Sequence, residues 1–200
     1  QSLSSYVVRA NCLEAKGQYD KAIVDYSVAL LKINNNNKDN DLTFFQRGRT
    51  YFYNRQYQES VDDFSQSLLW AEKFKKPTEE IHYLRAQAYM ELKKYSEAIS
   101  DFDLYLAANP DNLKALMLQG SAYLKTRQTD KATTLAQKIL RLDPSKEIYF
   151  SGNNILDLYN LDMRRNKAGQ LTKEAQTLIS ERSSIASKTL TTIKLTDAFK

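Results

Sequence analysis

Catalysis near neutral pH draws first on histidine and cysteine, and this 200-residue chain holds one of each, His82 and Cys12. A thiolate–imidazole pair is the nucleophilic chemistry such residues could build. They sit in different units of a repeating pattern, roughly two repeat widths apart, so no such pair is expected. Cys12 falls on an apolar stripe with helical spacing and is expected to be a small buried hydrophobe. His82 occupies the place held elsewhere by Tyr6, Phe44 and Leu116, which makes it a packing residue. A single cysteine excludes an internal disulfide framework and any multi-cysteine metal site. The glycines Gly17, Gly48, Gly120, Gly152 and Gly169 are isolated and form no phosphate-cradling loop. We therefore expect no catalytic residue, metal ligand, cofactor or small-molecule substrate.

The charged residues that do recur are arginine and aspartate. Arg9, Arg47 and Arg85 each precede a small residue, while Asp25, Asp63 and Asp101 each precede an aromatic one. At the fourth set of places stand Gln119 and Leu135, so both charges vanish together. Their joint loss predicts an Arg–Asp ion pair linking helices, either within a unit or across a junction. Such a pair is structural, because stripping one partner from a part-buried pair is costly. An anion site built from the arginines is the alternative.

These positions belong to a repeat. Ala22, Ser60, Ala98 and Ala132 recur at spacings of 38, 38 and 34, and upstream of each stands Ala10, Gly48, Ala86 or Gly120. Three residues later comes a large side chain: Leu13, Tyr51, Tyr89 or Tyr123. Antiparallel helices approach closely only where a small side chain lies at their crossing, with bulkier ones a turn away. Tyr26, Phe64 and Phe102 follow four residues after the second small residue and are expected to wedge into the next unit. Asn109-Pro110 and Asp143-Pro144 stop helices, since proline cannot continue one. Only 5 Gly and 3 Pro in the whole chain suit long helices with short connections.

This combination of small, large and proline positions over residues 3–145 closely resembles the tetratricopeptide-repeat family. The resemblance implies an all-α fold, a right-handed α-α superhelix of antiparallel helix pairs. Four repeats are expected at about 3–40, 41–78, 79–112 and 113–145. The 38-residue period departs from the family, adding about one helical turn. The extra residues fall in Lys32–Asn37, read as a polar loop, and Trp70–Pro77, read as a helix prolonged to Lys76. The fourth unit has Ala136 in place of the aromatic. The family binds partners on the concave face lined by the first helix of each unit. Carried over, the lining is Val7, Asn11 and Glu14; Phe45, Arg49 and Phe52; Tyr83, Gln87 and Met90; and Met117, Ser121 and Leu124. This apolar, aromatic groove suits an extended peptide or an amphipathic helix of a protein partner. The family's two-carboxylate clamp is not expected, because Val7, Gln46, Glu80 and Leu84 replace its basic and amide residues.

Beyond Pro144 the pattern loosens into two amphipathic stretches, expected to form a capping helical pair over 146–188, followed by a tail over 189–200. These C-terminal helices filling the groove is the competing arrangement. Residues 1–111 carry 14 basic and 16 acidic side chains, a net of −2, whereas residues 112–200 carry 15 and 8, a net of +7. That asymmetry offers a second mode, docking into a larger assembly through the basic half. Nucleic-acid binding is disfavoured, since only Arg164, Arg165 and Lys167 cluster. No apolar run is long enough to span a membrane. The chain opens on Gln1 rather than Met, which leans toward export after signal-peptide removal, with a removed domain or tag as alternatives. Oligomeric state and compartment are left open.

Overall fold

The computed structural model describes residues 3–31 and 40–143. The expected polar loop, the capping pair and the tail, with Arg164, Arg165 and Lys167, lie outside the described residues. Eight helices follow one another with no strand among the described residues: α1 (Leu3–Ala15), α2 (Tyr19–Leu31), α3 (Asn40–Tyr53), α4 (Tyr57–Lys73), α5 (Glu79–Glu91), α6 (Tyr95–Ala108), α7 (Leu113–Lys125) and α8 (Thr129–Leu142). The chain divides into two compact units, residues 1–108 with α1–α6 and residues 109–200 with α7 and α8.

In the first unit every helix packs on its sequence neighbour, and α3 also touches α5. The small residues sit where the pattern requires them. Ala10, Ala22, Ala86 and Ala98 are wholly buried, as is Ser60. Gly48 has its own reason for lacking a side chain. A Cβ there would come within 3.0 Å of the Phe64 ring and 3.2 Å of Asp63 Cβ. Tyr26, Phe64 and Phe102 are fully buried. They pack first within their own hairpin rather than only into the next unit. Tyr26 joins Ala10, Val7 and Leu13, Phe64 faces Phe45 at 5.9 Å, and Phe102 meets the edge of Tyr83 at 6.3 Å. The cluster around Phe64 then extends to Ile81 and Leu84 of the following helix.

Three hairpin turns reuse one backbone device. Gly17 takes a left-handed φ of 70°, and Arg55 and Lys93 take 61° and 59° at the equivalent places. The next residue's N–H returns to a helix carbonyl, as Gln18 to Leu13, Gln56 to Tyr51 and Lys94 to Tyr89. This is a left-handed helix stop that satisfies otherwise orphaned carbonyls.

Helix α4 ends at Lys73, short of the expected Lys76. Lys75 turns left-handed at φ 54°, and the Lys76 N–H returns to Ala71. The same type of stop ends the helix before Pro77. The Lys76 ammonium then lies 2.6 Å from Asp41 at the start of α3.

In the second unit, Asn112 caps α7 by accepting the Ala115 N–H at 3.0 Å. Arg127 repeats the left-handed turn at φ 61°. Helix α7 is buried over nine consecutive residues, Ala115–Tyr123.

Candidate functional site

The recurrent arginines and aspartates meet inside each hairpin of the first unit. Arg47 Nε and Nη2 reach the two oxygens of Asp63 at 2.7 Å, a bidentate fork. Arg85 does the same to Asp101 at 2.7 Å, and Arg9 pairs with Asp25 at 2.5 Å. The sequence left open whether the pairs lie within a unit or across a junction. In fact the guanidinium does both, because the remaining Nη1 of Arg47 donates to Ser27 at 2.9 Å and that of Arg85 to Ser65 at 3.0 Å. Both serines lie on the preceding hairpin. The repeated Asp-aromatic-Ser of Asp25-Tyr26-Ser27 and Asp63-Phe64-Ser65 was the signal for this bridge. Aromatic rings complete the setting, with Tyr51 5.7 Å below Arg47 and Tyr89 5.8 Å below Arg85.

His82 is buried and does more than pack, for its Nδ1 lies 2.9 Å from Asp101 Oδ1. Asp63 and Asp101 are comparably buried, yet their acidities part. Burial pushes the Asp63 carboxyl up despite Arg47. For Asp101 burial acts the same way, but hydrogen bonds from Arg85 and His82 together outweigh it and hold the carboxyl below its ordinary value. The Asp25 carboxyl is also lowered, through its hydrogen bond with Arg9. Cys12 is exposed, contrary to the expectation of a buried hydrophobe. It lies beside the crossing residue Ala10 in sequence but two positions round the helix, on another face. Among the described residues no group of three or more His, Cys, Asp or Glu is placed to hold a metal ion. None of the described helices is long and apolar enough to cross a membrane.

An open depression of about 550 Å³ lies between α1 and α3, lined by Asn11, Glu14, Gln46, Arg49 and the rings of Tyr19 and Tyr53. Gln46, Arg49 and Tyr53 follow helical spacing and so share one face of α3. Three polar residues expected on the binding face, Asn11, Glu14 and Arg49, are here brought together. Each is already engaged. Arg49 Nε and Nη2 fork onto Glu14 at 2.9 and 3.1 Å, and the Tyr26 hydroxyl shares its one proton between Asn11 Oδ1 at 2.5 Å and the more distant Glu14 Oε2 at 3.2 Å. Burial, then the nearby Glu14 charge, raises the Tyr26 hydroxyl far above the ordinary phenol value, so it stays a donor. Tyr19 and Tyr53 stack at 6.0 Å.

The other expected lining residues stand elsewhere. Phe45 packs on the Phe64 cluster and Phe52 sits edge-on to Tyr57 at 5.6 Å, both half-buried. The open face of α3 therefore runs one residue further on, about 100° round the helix, through Gln46 and Tyr53. The resemblance had named Gln46 only as a replacement at the family's clamp, and the sequence reading missed Tyr53 and Tyr19. Tyr83 stacks on Tyr105 at 4.6 Å, the Gln87 amide reaches back to the Tyr83 carbonyl at 3.4 Å, and Met90 is half-buried. Met117 and Ser121 are 6% and 2% exposed, so the expectation that they line an open face fails. Both belong to the continuous buried stretch Ala115–Tyr123 of α7.

Comparison with known proteins bears on the fold. A family model described as tetratricopeptide repeat matches residues 45–112 and 83–147, together over half of the chain. No curated protein matches in sequence. Among solved structures, a crystal structure of MamA protein aligns over 96% of each chain with a TM-score of 0.66 at 16% identity. A MamA fragment from Desulfovibrio magneticus RS-1 aligns over 93% of each at 0.64 and 20%. YrrB, described as a TPR protein with an unusual peptide-binding site, covers 94% of this chain and 91% of its own, at 0.64 and 16%. At these identities the likeness is one of fold, an all-α helical-repeat solenoid.

Proposed function

The chain belongs to the tetratricopeptide-repeat family, and from that membership we propose that it is a protein-interaction scaffold, a binding module rather than an enzyme, that holds a peptide segment of a partner. The α1–α3 depression carries this reading, because it combines stacked aromatic walls with convergent polar groups on rigid helices. Its volume is that of sites which take peptide side chains or drug-sized ligands. The unusual peptide-binding site of YrrB, whose fold is alike, is in keeping with this. Of the other residues carried over from the family, Phe45 and Phe52 pack against α4, and Tyr83, Gln87 and Met90 stand on α5.

A display library of random peptides selected on the immobilised chain tests the proposal. Selected peptides should lose about tenfold in affinity to a Gln46→Ala/Tyr53→Ala variant, equivalent to about 1.4 kcal/mol. Tyr53 is half exposed, so the variant should stay helical by circular dichroism. Peptides that bind both forms equally, but lose a variant reversed at Arg164 and Arg165, would move the site to the basic C-terminal half. A library that yields no binder at all would sink the scaffold reading itself.

A further inference from the structure

We infer that the outer face of α1 docks an amphipathic helix of a partner protein, one that carries an aromatic residue followed by serine. Position by position, α1 repeats the faces with which α3 and α5 receive the helix before them. On α3 and α5, Thr50 and Ala88 are wholly buried, and Gln46 and Leu84 are half-buried. Thr50 lies against the Tyr26 hydroxyl of α2, and Leu84 seats on the Phe64 and Leu68 cluster of α4. The repeat alignment sets Cys12 and Val8 of α1 at the same places. There Cys12 is exposed, and Val8 is 61% exposed although it is apolar. Neither residue lines the α1–α3 depression, so this is a second surface.

Arg9 fixes the chemistry of the occupant. Asp25 holds its Nε and Nη2, and Tyr6 lies 5.4 Å from the guanidinium, so the group is posed as in Arg47 and Arg85. In those two hairpins the remaining Nη1 donates to Ser27 or Ser65 of the preceding helix. Arg9 Nη1 has no acceptor among the described residues. Its side chain is over half exposed, whereas those of Arg47 and Arg85 expose less than a fifth. The spare N–H calls for an oxygen. A carboxylate would meet Asp25 as a like charge, so a neutral hydroxyl is the better acceptor, as in both internal interfaces. The residue before each of those serines is aromatic, Tyr26 or Phe64, and a leucine follows three residues later, Leu30 or Leu68. A partner helix with that spacing extends an interface the molecule already builds twice.

The one thiol of the chain, Cys12, lies on this face and reports its occupancy. The probe is a stapled helical peptide of Tyr57–Lys73, the α4 sequence, with the staple on the side away from Phe64 and Ser65. Added at millimolar concentration to the full chain, it should slow the reaction of Cys12 with a thiol reagent, and do so saturably. A Ser65→Ala peptide should bind about tenfold more weakly, as expected for the loss of a hydrogen bond to a charged group. Val8→Glu in the chain, checked for helicity, should abolish the protection. Arg9→Lys keeps the charge beside Asp25 but removes Nη1, so it should erase the difference between the two peptides. Absence of protection, equal protection by a Phe64→Ala/Ser65→Ala peptide, or protection that survives Val8→Glu would overturn the inference. Shielding of Cys12 in the chain alone would overturn it too. Shielding lost on dilution would give the face to a second copy, and shielding at every dilution to the chain's own residues.

Discussion

Single residues set how the charge pairs respond to mutation and to acid. Arg47 and Arg85 expose less than a fifth of their side chains, and their aspartates are nearly covered. Replacing either arginine with alanine strands a buried carboxylate and should cost about 3 kcal/mol, read as a fall in the urea midpoint. Arg9 is over half exposed, so Arg9→Ala should lower the midpoint by much less. Acid separates the sites as well. The Asp101 carboxyl lies lower in the folded chain than in the unfolded one, so its contribution is present above the unfolded value of about 3.9 and is lost as pH falls through the folded value. His82→Phe removes one of its two kinds of donor. The Asp101 carboxyl should then titrate at higher pH by carbon NMR, and the stability lost in acid should shrink. An unchanged titration would mean that Arg85 alone sets its acidity. The Arg and Asp positions were legible from their joint recurrence, whereas the His82 contact was not, because nothing in the sequence says which aspartate a histidine on the same hairpin will face.

Helices and their turns carry the next set of consequences. The second hairpin uses glycine where the first and third use alanine, because Phe64 and Asp63 come so close to Gly48. Gly48→Ala should overpack that crossing at about 1–3 kcal/mol, offset by about 1 kcal/mol of better helix propensity. The net outcome is a lower melting temperature, and a rise would show that the Phe64 ring can yield. The turns give the opposite prediction. Arg55 and Lys93 hold the left-handed backbone that Gly17 adopts without strain. Arg55→Gly and Lys93→Gly should each stabilise by up to about 1 kcal/mol, whereas Gly17→Ala should destabilise by a similar amount. The repeat alignment already set Gly17 beside Arg55 and Lys93. A sequence cannot reveal that non-glycine residues adopt positive φ there, since the tertiary fit of the hairpin imposes it.

At the scale of the molecule, α1–α6 form a compact unit with their own buried clusters. A chain ended at residue 112 should therefore stay helical and unfold cooperatively by circular dichroism, as expected where each repeat leans on its neighbours. Gradual, non-cooperative melting of that fragment would show that the first unit needs the rest of the chain. The α1–α3 depression lies wholly within this unit, so the fragment should also retain the selected peptides.

The sequence by itself determined the class of fold and the helix crossings, because a small residue every 34–38 positions leaves antiparallel helices one close way to pack. It also singled out Arg9, Arg47 and Arg85 with their aspartates, since charges that recur and disappear together mark a contact. What it did not settle was the rotation of each helix about its own axis. A turn of about 100° moves one residue into the core and brings the next to the surface, and that choice depends on how rings such as Phe45 and Phe64 seat against a neighbouring helix. Only the tertiary structure put Phe45 and Phe52 against the hairpin core and opened the face of Gln46, Arg49 and Tyr53. Met117 and Ser121, which the family resemblance had assigned to an open surface, are buried as well.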